Sequence, residues 1–112
     1  MNMRILDAQR KVPYSDPAKK MYFDDLKGFV CFIPSVIVGE KMIIMYSNAI
    51  SIRHRSSAVV NCAIDYDTGI YTVETAEAVY TMEDLERNRK SVKKRIASTL
   101  YRSKRISACH AG

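Results

Sequence analysis

No acidic residue follows Glu86 in this 112-residue chain. All 12 acids lie in residues 1–86 beside nine bases, a balance of −3, while residues 87–112 carry the other nine bases unopposed. An ordinary exposed segment mixes signs to gain i,i+4 pairs. A run of one sign carries a self-repulsion that an anionic partner relieves. Long apolar runs are also missing. The longest, Met42 to Tyr46, is far short of a membrane span, and the MNMRILDAQRK start holds no stretch fit for a signal peptide. The three cysteines, Cys31, Cys62 and Cys109, are too few and scattered for a disulfide framework, and there is no CxxC. An odd count of this kind favours a reducing, cytoplasmic setting. The four glycines are dispersed, which excludes a phosphate-cradling loop.

Chemistry-bearing residues are equally sparse. There are two histidines. His54 shares an alternating segment with Ile50 and Ile52, has Arg53 and Arg55 as neighbours that would depress its pKa, and has no orienting carboxylate nearby in sequence. Cys109-His110 is a two-ligand end rather than a zinc site. Asp65 and Asp67, two apart, could share a divalent cation, but Asp67 as a turn residue and Asp65 as a solvent-face residue explain them better. Cys31 and Cys62 sit in apolar strands as inert core thiols. Ser56 and Ser57 lack a GxSxG context. No metal, cofactor or catalytic residue is expected, and the chain reads as a non-enzyme.

A hydrophobic fraction of 47% with 27% charge is that of a globular chain, long enough to bury a core as one domain over residues 1–112. Residues 2–6 read as a first strand. Asp16-Pro17 reads as an N-cap followed by the first helical residue, opening a short helix over 18–27 that stops at Gly28 and turns Met21, Tyr22 and Leu26 inward. Phe29–Ile33, Val36–Val38, Met42–Tyr46 and Ala49–Arg55 read as strands, with a turn at Ser56-Ser57. The clearest hairpin joins 58–66 to 70–75 through Tyr66-Asp67-Thr68-Gly69, with Gly69 left-handed. Residues 76–80 either extend that hairpin or form a short link to a terminal helix.

The segment 81–106 reads as that helix, long and basic. Thr81 serves as N-cap with Asp84 three positions on, and acids fill the first turns while bases fill the later ones. Met82, Leu85, Val92, Ile96 and Leu100 form its apolar stripe. Residues 107–112 are a frayed tail. The fold class expected is therefore α+β: an antiparallel sheet of four to six strands in a meander, with this helix packed on one face.

The function expected is that of a small basic accessory protein contacting nucleic-acid phosphates. The candidate contacts are Arg87, Lys90, Lys93, Lys94, Tyr101, Arg102, Lys104 and Arg105, joined by Arg53 and Arg55 from the sheet. Tyr46, Tyr66, Tyr71 and Tyr80 lie in or beside strands, where aromatics can stack bases, but they match no RNP1 string. The alternative is an inhibitor or adaptor, of viral or mobile-element type, that docks the same bases on an acidic protein surface. A metal-independent nuclease built on His54, Arg53 and Arg55 is the least supported reading. No membrane partner is expected.

Overall fold

The structure, a computed structural model, describes residues 1–87. Along the chain they form β1 (Asn2–Arg10), α1 (Pro17–Asp24), β2 (Val30–Phe32), β3 (Lys41–Tyr46), β4 (Ile52–Asp65), β5 (Ile70–Thr75) and β6 (Ala78–Asp84). Every strand pairs antiparallel with the next, and β6 returns to β1, closing a six-stranded barrel. Closure leaves no sheet edge exposed, and a barrel this narrow fills its interior with its own side chains.

This corrects the α+β expectation of an open sheet covered by a long helix. The only helix among the described residues is the eight-residue α1. The barrel needs no helical layer on one face because its interior is already sealed by all six walls. Met3, Ile5, Cys31, Met42, Ile44, Val59, Cys62, Val73, Tyr80 and Met82 fill it, each at most 1% exposed; Cys31 is the free core thiol expected, whereas Cys62 is disulfide-bonded, which corrects that reading.

Thr81 and Asp84 are correspondingly not a helix cap. Both belong to β6, where Thr81 faces Asp7 on one side and Thr72 on the other. Ala78, Tyr80 and Met82 are buried in strict alternation, a period of two that outweighs the capping signal. After β6, Asp84 Oδ1 accepts from Glu86 N at 2.9 Å and turns the chain out of the strand. The rest of the basic helix expectation, including the stripe centred on Ile96 and the tail at 107–112, lies outside the described residues.

Other elements keep their expected place with altered detail. Asp16 caps α1, its Oδ1 accepting from Ala18 N at 2.9 Å, and Pro17 follows it. Gly28 adopts φ +85° and donates its N–H to Ile5 O at 2.7 Å, returning the chain to β1. Phe23 on the helix and Leu26 just after it are buried, while Met21 and Tyr22 stay exposed. The 65–70 hairpin turn is as read: Gly69 has φ +73° and bonds Asp65 O at 2.8 Å. Asp65 Oδ1 accepts from Asp67 N and Thr68 N, so that carboxylate serves the turn. Residues 36–38 are not a strand, although Val36 is buried.

The largest departure is β4. The expected turn at Ser56-Ser57 is instead a bulge in one 14-residue strand. Ser56 Oγ accepts the Met42 N–H at 2.9 Å and donates to Ser57 O. Short hydroxyl side chains suit such a place because they supply the hydrogen bonds that a broken ladder lacks. Two more irregularities fall where Arg53 and Val60 are the unmatched residues. Three bulges let one strand bend around two sides of the barrel.

Candidate functional site

α1 packs on the barrel beside β1, and a cluster of aromatic and basic side chains lies there. An eight-residue helix is marginal alone, so α1 is held by what it buries. Phe23 is its anchor, 3% exposed. Its ring meets Tyr14, His54 and Tyr80 edge-to-face, with centroids 6.0, 5.9 and 6.0 Å away. This is the favoured geometry for aromatic pairs.

His54 and Tyr80 form the polar floor beneath this ring. His54 Nε2 lies 3.2 Å from Tyr80 Oη. Burial lowers the His54 pKa, and the charges of Arg53 and Arg10 lower it further. Burial also pushes the Tyr80 phenol well up, with Tyr14 adding to the effect. The pair is thus neutral at physiological pH, and an uncharged imidazole can accept from the phenol. The hydrogen-bond partner of His54 is a phenol rather than the orienting carboxylate expected beside a catalytic base.

Arg53 sits at the bulge next to His54 and is 8% exposed. Its Nη2 donates to Tyr22 O at 2.7 Å, and the Tyr22 hydroxyl donates back to Arg53 O at 2.6 Å. The guanidinium lies 3.7 Å from the Tyr22 ring centroid and 5.8 Å from that of Phe29. No carboxylate among the described residues pairs with it, and its Nη1 is buried without a hydrogen-bond partner. A buried cation balanced only by a carbonyl and aromatic faces is costly.

Two clefts flank the Tyr14–Phe23 pair. The larger, about 390 Å³, is bordered by Tyr14, Ala18, Lys19, Tyr22, Phe23 and His54. The smaller, about 290 Å³, lies toward Arg10, Lys20 and Asp24. Arg10 stacks 4.0 Å over Tyr14 and is paired with Glu77 at 3.1 Å.

Of the residues expected to bind phosphate, Arg53 is therefore enclosed and Arg55 is exposed. Arg87 folds back on the 65–69 turn, its Nη2 donating to Asp67 O and its Cδ occupying the space a Cβ at Gly69 would need. Lys90, Lys93, Lys94, Tyr101, Arg102, Lys104 and Arg105 lie outside the described residues. The four strand tyrosines do not form one platform. Tyr80 is inside the barrel, Tyr71 is half-buried with its hydroxyl pushed up to about 12 by burial, Tyr46 packs on Phe29, and Tyr66 is on the turn.

Sequence reading missed Tyr14, Tyr22 and Phe23 as a group. The Asp16-Pro17 cap fixes where α1 starts, but the sequence reading turns Met21 and Tyr22 inward and passes over Phe23, the one buried residue of α1. Which barrel residues they meet depends on closure. No helix among the described residues is long and apolar enough to cross a membrane. No family model, curated relative or solved structure matches the chain.

Proposed function

We propose that this protein is a small nucleic-acid-binding accessory protein. Its barrel is a scaffold, and its basic terminal segment contacts the phosphate backbone. The observation that carries this reading is charge segregation: nine bases and no acid from residue 87 onward, against a balance of −3 before it. The structure of the barrel sharpens that contrast. Arg4, Arg10, Lys11 and Lys20 are each engaged by a carboxylate of the barrel, Glu83, Glu77, Glu74 and Asp24 respectively. Arg53 is enclosed. Lys19, Lys27, Lys41 and Arg55 have no such pair among the described residues, so four barrel bases stand against nine in the sequence from residue 87 onward.

The test is binding of labelled duplex and single-stranded oligonucleotides by fluorescence anisotropy across a salt series. Affinity should fall with a log–log slope of roughly −0.9 per phosphate neutralised on duplex. The K93Q/K94Q double substitution should make that slope shallower by about two if both contact phosphates. Absence of binding at low salt, or a slope untouched by the substitutions, overturns the reading. Competition by poly-glutamate equal to that of DNA, charge for charge, would replace it with an acidic protein surface as the partner.

A further inference from the structure

The 390 Å³ cleft beside α1 has the composition of a stacking site rather than of a solvent gap. Three aromatic rings, Tyr14, Tyr22 and Phe23, border it together with the His54 imidazole. Tyr22 is the most accessible of them, at 52% exposed, yet it is not a loose surface side chain. Its hydroxyl is donated to Arg53 O, its carbonyl accepts from Arg53 Nη2, and its ring rests 3.7 Å from the guanidinium. The hydroxyl bond and the guanidinium stack hold the ring in place before any ligand arrives, and the carbonyl contact anchors its backbone. A preorganised aromatic loses little side-chain freedom on binding.

The electrostatics select the ligand class. Lys19 stands at the rim and has no ion pair among the described residues. Arg53 lies behind Tyr22 with Nη1 unpartnered and no carboxylate. A ligand that combines a flat π face with a nearby negative charge would stack on Tyr22 and relieve an uncompensated cation. At the floor, the neutral His54 offers a hydrogen-bonding edge without a competing charge. A neutral apolar ligand would use the rings and leave both cations unanswered.

We infer that this cleft holds one unpaired nucleobase, stacked on Tyr22 with its phosphate at Lys19, so that the protein prefers single-stranded over duplex nucleic acid. The inference rests on the nucleic-acid reading above and names the form of nucleic acid that reading leaves open. In a duplex every base is stacked and paired, so none can enter a cleft walled by rings without unpairing. Sequence-tolerant stacking beside a basic track is how single strands are commonly held.

The test compares a fluorescein-labelled oligothymidylate with a duplex of equal length at one salt concentration. Y22A should weaken single-strand binding by about 5- to 150-fold, the range of one lost base stack, and leave duplex binding unchanged. Because Tyr22 also covers Arg53, a second variant is needed that leaves that contact alone. A18L fills the cleft from an exposed helical position, keeps the charge and should give the same selective loss. Retention of single-strand affinity by folded A18L overturns the inference, as does an equal loss for both forms. In either case the salt slope and its response to K93Q/K94Q still stand as the separate measure of the terminal segment. Failure of the parent protein to bind either form overturns both.

Discussion

Replacing Phe23 with alanine tests how much the one buried side chain of α1 stabilises the barrel. Phe23 is 3% exposed and makes edge-to-face contacts with three rings. Large-to-small changes of this kind cost about 3–5 kcal/mol, combining lost transfer energy with the cavity left behind. Here the two clefts, about 390 and 290 Å³, adjoin the ring on either side. The space vacated would open toward water instead of remaining an empty void, which trims the cavity contribution. Each edge-to-face pair adds about 0.5–1.5 kcal/mol beyond area and works in the opposite direction. The expected loss is about 3–4 kcal/mol. With a urea m-value on the order of 1–3 kcal/mol per molar, the unfolding midpoint should fall by roughly 1–4 M. Circular dichroism and tyrosine fluorescence should report one coincident transition, since Tyr14 and Tyr80 both contact the ring. A midpoint within error of the parent would refute the reasoning, because burial of Phe23 would then contribute nothing to the folded state.

Two further outcomes concern stability. The folded state lowers the His54 pKa below its ordinary 6.5, so the unfolded chain takes up the proton first as pH falls. Stability should therefore decline as pH drops from about 6.5 toward the lowered folded value, then level off for this group. H54Q should flatten that part of the profile, and an unchanged slope would show that the imidazole is not the group responsible. Thr75 is fully buried, and its Oγ1 accepts from Ala78 N at 3.0 Å and Ser57 Oγ at 2.9 Å. Thr75→Val keeps the shape and strands those donors, so it should cost about 1–3 kcal/mol in denaturant titration. Equal stability would mean that water or a local shift replaces the hydroxyl.

What the sequence determined by itself is local or additive. Charge segregation is a matter of counting, and it still carries the functional proposal. The Asp16-Pro17 start of α1 and the left-handed Gly69 turn were legible because capping and turn geometry involve residues only a few positions apart. Most strands could be placed for the same reason. Residues 81–84 show the limit of such signals: Thr81 and Asp84 satisfy a helix cap locally, while Ala78, Tyr80 and Met82 satisfy a strand. Pairing with both β5 and β1 decides between them. The tertiary structure alone decided the rest. Barrel closure depends on the register of β1 against β6, strands from opposite ends of the described chain, which no local window contains. The bulge at Arg53 interrupts the alternation in β4, and α1 then covers a guanidinium that even spacing would set beside exposed Arg55. Tyr14, Phe23, His54 and Tyr80 come from a loop, a helix and two strands. They meet because the closed barrel brings β4 and β6 within reach of the one ring that α1 buries.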